Sequence, residues 1–201
     1  MPYSEFTFKK VKKDFGLTLI EEKGLFAKFD PIPPGDLLIS TLEDTVPLAL
    51  AINTEKARSE FIISTVLVEI RRIFNKKTSL FSGIEFNVDA EKGLTGYCDF
   101  IISASPEQLS LSAPVVIIVE AKNENIIGGI GQCIAEMVAA QIFNQQENIA
   151  IKNIYGVVTS GNIWKFLKLE NQLVYIDLQD YYIETVDKII GIFCAMLKQS
   201  A

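Results

Sequence analysis

Residues 115–125 read VVIIVEAKNEN. Five β-branched residues in a row, Val115 to Val119, are what a strand covered on both faces requires. The run then ends in Glu120 and Lys122. In a strand, Val116, Ile118, Glu120 and Lys122 project to one face and Val115, Ile117, Val119 and Ala121 to the other. Glu120 and Lys122 are therefore expected side by side, roughly 7 Å apart at their Cα atoms. They stand at the end of a buried strand, where the ligand crevices of open α/β sheets lie.

Two further strand signals precede this one. Thr95–Ser103 (TGYCDFIIS) and Gly83–Val88 (GIEFNV) both alternate, and Asp99 is the polar member of an otherwise apolar Cys98-Asp99-Phe100-Ile101-Ile102. Paired antiparallel with Pro114–Lys122, the first of them brings Asp99 opposite Glu120. The connection between them, ASPEQLSLSAP, reads as a turn-rich loop. Downstream, Ile130–Asn144 is expected as a helix whose Ala135, Ala139 and Ala140 let it lie close on a sheet. Tyr155–Thr159 reads as a buried strand, Ser160-Gly161-Asn162 as a turn, and Ile163–Leu169 and Leu173–Ile176 as strands joined at Glu170-Asn171. Tyr182–Gln199 closes the chain as an amphipathic helix.

Upstream, Glu55–Phe74 carries apolar residues near a 3.6-residue spacing, with Asn53 or Thr54 as N-cap. Arg71, Arg72, Lys76 and Lys77 gather at its C-terminal end, as a solvated cationic end suited to the helix dipole or as a phosphate contact. FDPIPPGDLL is a connector, with a helix expected from Asp36 to Thr45. SEFTFKKVKKDF suits a short helix or an edge strand. The order is helix, three strands, helix, two or three strands, helix. That pattern specifies an α/β fold, a central mixed β-sheet flanked by helices, with a right-handed crossover from 115 to 159. We expect one domain over 1–201: an N-terminal extension (1–50), a core (51–180) and a C-terminal helix (181–201).

Composition narrows the chemistry. The 201 residues are 49% hydrophobic, enough for a sizeable core. There is no histidine, which removes Ser-His-Asp triads, Cys-His nucleophiles and His-rich zinc sites. Cys98, Cys133 and Cys194 are scattered, with no CxxC, and read as buried reduced thiols. A net charge of −6 argues against a protein that coats DNA non-specifically. No run reaches 18 apolar residues and the N-terminus lacks a signal-peptide core, so a cytoplasmic protein with no membrane partner is expected.

Asp99 and Glu120 at close quarters repel unless one takes a proton or a cation lies between them. Mg²⁺ commonly takes one or two carboxylates and leaves its other positions to water and phosphate. A neighbouring lysine orients or deprotonates water, or stabilises charge on phosphoryl oxygens. Asp…Glu-x-Lys is thus the residue set that metal-assisted phosphodiester hydrolysis needs. A strand-end ion pair in an α/β protein of other function is the ordinary alternative.

GLTGYCDFIIS, VVIIVEAKNEN and GGIGQCIAEMVAA together resemble the PD-(D/E)xK nuclease superfamily, with its restriction endonuclease-like core. ARSEFIISTVLVEIRR resembles the helix that often precedes that core, and YGVVTSGNIWKFLKLE the strand-turn-strand that follows it. The likeness covers roughly residues 50–170, and extends to small bacterial proteins of that fold. It implies Asp99 and Glu120 as metal ligands, the Ala121 carbonyl and Glu60 completing the metal site, and Lys122 and Gln132 as further catalytic residues. Cys98 stands where the motif's name has proline.

What the resemblance implies is a Mg²⁺- or Mn²⁺-dependent nuclease acting on nucleic acid, with DNA the expected substrate. A homodimer would supply two active sites for two strands. The alternative is an inactive binding or assembly module that keeps the fold. Gly128, Gly129 and Gly131 suit a flexible approach to the helix more than a phosphate loop, since no P-loop lysine follows. Trp164 reads as a half-buried aromatic rather than a base-stacking platform, and Tyr181-Tyr182 as packing at the start of the last helix.

Overall fold

The computed structural model describes residues 2–199. Its strands are β1 (Thr18–Glu22), β2 (Ser79–Glu85), β3 (Tyr97–Ser103), β4 (Val115–Ala121), β5 (Ile154–Thr159), β6 (Ile163–Glu170), β7 (Leu173–Asp177) and the two-residue β8 (Tyr181–Tyr182). They form one open sheet in the order β1-β7-β6-β5-β4-β3-β2, with β8 added to β6. β4–β5 and β1–β7 are parallel and the other pairs antiparallel, so the sheet is mixed.

Helices close both faces. On one lie α1 (Phe8–Asp14) and α5 (Ile126–Gln146). On the other lie α2 (Asp36–Ile52), the run α3 (Glu55–Arg58) to α4 (Ser64–Ile73), and α6 (Val186–Gln199). β4 lies between these layers and is buried along its whole length. This is why its sequence is continuously apolar rather than alternating.

The strict alternation expected along β4 fails at its start. Ile102 pairs with Ile117 but Ser103 pairs with Val115, so Val116 is the extra residue of a bulge. Val116 and Ile117 consequently pack into the same helical layer. Beyond the bulge, alternation holds through Glu120.

The long helix after Thr54 is also not uniform. Thr54 caps it, accepting the Ala57 N–H at 3.1 Å. A π turn then occupies Ser59–Ile63 before α4 begins. The buried positions step from 57 and 58 to 62 and 63, then to 66, 67 and 70. The five-residue first step is one π turn, which returns the apolar face to the sheet.

Among the described residues α5 is the one helix long and apolar enough to cross a membrane, and 67% of that window is buried inside the fold. It begins at Ile126, four residues before the expected start, so the glycines of GGIG are helical. A Cβ on Gly131 would lie 2.4 Å from Phe6 O and 2.5 Å from Phe8 N. Glycine here lets α5 press against the N-terminal segment.

That segment departs from the expected extension. SEFTFKKVKKDF does supply a helix, with Thr7 as its N-cap, but residues 18–22, unremarked in sequence, form the sheet's edge strand on β7. The Tyr3 hydroxyl donates to Phe86 O at 2.7 Å. The first fifty residues are thus part of the same sheet and core. At the opposite edge, the 104–114 loop folds over β2. Leu80 N–H donates to Gln108 Oε1 at 3.2 Å, and Gln108 Nε2 donates back to Leu80 O at 2.8 Å.

Gly131→Ala sets two effects against each other. Helix propensity favours alanine by about 1 kcal/mol. A clash with backbone that cannot swing away costs about 1–3 kcal/mol. Urea unfolding is expected to show a net loss of stability of up to about 2 kcal/mol, where an exposed helical Gly→Ala would gain.

Candidate active site

The site forms where the β3–β4 ladder stops. Phe100 pairs with Val119, and the next residues on the two strands are Asp99 and Glu120. Asp99 Oδ2 accepts the Ala121 N–H at 2.8 Å, and its charge bears directly on the Glu120 carboxyl beside it. The cross-strand meeting expected from sequence is therefore present.

Glu120 is only 1% exposed. Its Oε1 is ion-paired with Lys122 Nζ, and its Oε2 is buried with no donor. Lys122 Nζ also donates to Gln132 Oε1 at 3.4 Å, and Gln132 Nε2 to Glu136 Oε1 at 3.0 Å. A polar chain thus runs from Glu120 through Lys122 and Gln132 to Glu136, with Asp99 beside its first member. Gly129 makes room for it, since a Cβ there would lie 3.0 Å from Lys122 Cε and Cγ. The Lys122 N–H, donated to Thr159 O at 2.8 Å, ties the lysine's backbone to β5.

Glu60 and Ala121 stand apart from that chain but open on it. A cleft of about 280 Å³ is lined by Asp99, Ala121, Glu55, Lys56, Ser59 and Glu60. The Glu60 side chain is 56% exposed and pairs with Lys56 at 3.7 Å, so it is a rim residue. Sequence reading missed two acids. Glu55 lies in the first turn of α3, and its charge bears on Glu120 and Lys122. Glu136 is fully buried. Its signal was available: a lone carboxylate in the apolar run of α5, four residues after Gln132.

Burial, and then the neighbouring Asp99 charge, push the Glu120 carboxyl up to about 8, against the pull of Lys122. Burial likewise raises Asp99, opposed by the Ala121 N–H and by Lys122. Burial and the Glu120 charge hold Glu136 well above the carboxylate range. For Lys122, burial favours the neutral amine, but Glu120 outweighs it and the net shift is upward. Lys122 is therefore an ammonium, a donor rather than a base. Burial also pushes the Cys98 and Cys133 thiols up, leaving them unreactive.

The other expected positions divide. Trp164 is fully buried rather than half-buried, its Nε1–H given to Gly161 O at 2.7 Å, so it offers no stacking face. Tyr181 and Tyr182 form β8 rather than the start of a helix. Arg72 pairs with Glu69 and Arg71 donates to Thr78 O, so the two arginines of that cationic helix end are engaged within the fold, while Lys76 and Lys77 are exposed.

No protein-family model matches the chain, and no curated protein matches it. Among the described residues no group of three or more His, Cys, Asp or Glu side chains is gathered as a metal site. Asp99 and Glu120 alone fit a hard cation that takes two carboxylates and otherwise water. The donorless Glu120 Oε2 is the oxygen with capacity left for it.

The raised Glu120 has a thermodynamic consequence without metal. Between its ordinary value of 4.5 and about 8, the folded chain holds a proton that the unfolded chain has lost. Stability therefore falls as pH rises through that window, by at most about 1.4 kcal/mol per unit. Asp99 and Glu136 act in the same direction. Urea midpoints in EDTA are expected to drop from about pH 5 to about pH 8, and Glu120→Gln to flatten the slope.

Proposed function

We propose that the Asp99–Glu120–Lys122 cluster is the active site of a metal-dependent nuclease with a restriction endonuclease-like core of the PD-(D/E)xK type, acting on DNA. One observation carries the reading. Two carboxyls, Asp99 and the fully buried Glu120, stand side by side at the end of a buried strand, with an ammonium on Glu120, and Asp99 opens on a cleft. A structural ion pair needs only one carboxylate; the second one, desolvated beside the first, costs stability and calls for a function.

Asp99 and Glu120 would hold Mg²⁺ or Mn²⁺, with the Ala121 carbonyl and Glu60 as further oxygen donors. When bound, the ion supplies Lewis acidity and an acidified water. The protein's own groups do the rest. The Ala121 N–H keeps Asp99 oriented and favours its charged form. Lys122 stays charged and so offers hydrogen bonds to phosphoryl oxygens or to the attacking water. Gln132, held by Glu136, fixes where that ammonium points.

The test is cleavage of end-labelled single- and double-stranded DNA with Mg²⁺ or Mn²⁺. Asp99→Ala and Lys122→Ala are each expected to retain the fold and lose about 10²–10³ in rate, the usual cost of one electrostatic contact to the transition state. Wild-type rates in both variants would overturn the assignment. No cleavage, with no Mg²⁺ heat by calorimetry, would identify a non-catalytic module on the same fold.

A further inference from the structure

Lys165 is an anomaly in this sheet. It projects from β6 into the layer occupied by Leu167 and Leu169, and is 6% exposed. Its Nζ donates to Asp177 O at 3.0 Å and pairs with Asp180 Oδ1 at 2.7 Å. That leaves one of its three N–H donors without a partner among the described residues.

The lysine forms part of the wall of a pocket of about 210 Å³ between α1, the start of α5 and the sheet. The rest of the wall is largely apolar: Phe8, Ile127, Ile176 and Leu178, with Glu21 as the other charge. Ile127 and Leu178 are 67% and 53% exposed, so the apolar lining continues to the mouth. Nothing in the proposed chemistry uses this pocket.

Its position relates it to the candidate site. Glu120 pairs with Val158, and Val158 with Lys165. Partners in register project to the same face. Lys165 therefore lies two strands, about 10 Å, from Glu120, with the first turns of α5 between them. α5 fills the direct line and the cleft opens on the α3 side of the sheet, so a single strand held at the carboxylates would round the sheet's end to reach the pocket, a path of several nucleotides.

We propose that this pocket takes one nucleobase of the substrate strand, unstacked; the inference rests on the nuclease reading and adds its substrate class, single-stranded DNA. Size argues for a group rather than a whole ligand, since sites enclosing free small molecules run to about 300–1,000 Å³. Polarity argues for a base rather than an apolar side chain. Lys165 offers a donor inside and Glu21 an acceptor at the rim, and a nucleobase edge carries an acceptor and a donor on one plane. Phe8 and the isoleucines supply the face on which a ring lies, which tolerates any base.

The experiment uses single-stranded DNA hexamers with one 2-aminopurine at successive positions, Ca²⁺ replacing Mg²⁺ to slow cleavage. Wild type is expected to alter the fluorescence strongly at one position. Lys165→Met and Leu178→Asn should each bind that hexamer at least tenfold more weakly. Leu178 is exposed, so its variant keeps the fold and decides the matter if Lys165→Met does not fold. A hexamer abasic at the same position should bind wild type and both variants alike. Equal fluorescence at all positions, or unchanged affinity in Leu178→Asn, overturns the base pocket. If Lys122-dependent cleavage persists in that case, the nuclease reading stands without it. Absence of both hexamer binding and cleavage overturns the two together.

Discussion

β4 is covered on both faces, and the rest of the molecule follows from that. A strand in this position needs a helical layer on each side, which the α1–α5 pair and the α2–α4–α6 set provide. It also needs every backbone group paired, which β3 and β5 provide until the ladder runs out. At that point Asp99 takes over, its carboxylate accepting the Ala121 N–H that no strand partner reaches. The same desolvation that makes β4 a stable centre is what raises Glu120, because a carboxylate 1% exposed loses nearly all its hydration. Core and candidate site are one piece of physics, seen at the middle and at the end of a single strand.

Much of this was legible in the residues. The unbroken run at 115–119 specified a doubly covered strand, and Asp99 stood out as the polar member of its strand. The order of elements was enough for a mixed α/β sheet, and the pairing of β3 with β4 brings Asp99 and Glu120 together as expected. Lys122 and Gln132 join them because α5 starts directly over that strand end. The glycines that allow this approach looked in sequence like a flexible segment. Their meaning depends on what lies opposite, Lys122 for Gly129 and the backbone of Phe6 for Gly131.

What escaped is of the same kind. β1 is five residues of half-polar sequence with no turn or period to mark it, and it becomes a strand because β7 offers an edge. The bulge at Val116 and the π turn at Ser59–Ile63 each insert one residue into a regular pattern, and a period read from one chain segment cannot register an offset imposed by its neighbour. Glu136 is a lone carboxylate in an apolar helix run, and only the fold shows that it is buried within reach of the Glu120 charge. In each case the deciding contact is distant in sequence.

The Gln108 amide occupies both outward-facing backbone groups of Leu80, as the next strand of a sheet would. An open sheet with β2 at its margin would otherwise present a free hydrogen-bonding row. A side chain that imitates one residue of a neighbouring strand ends the sheet chemically as well as geometrically. A second copy pairing strand-to-strand along this margin would first have to displace that loop glutamine from Leu80.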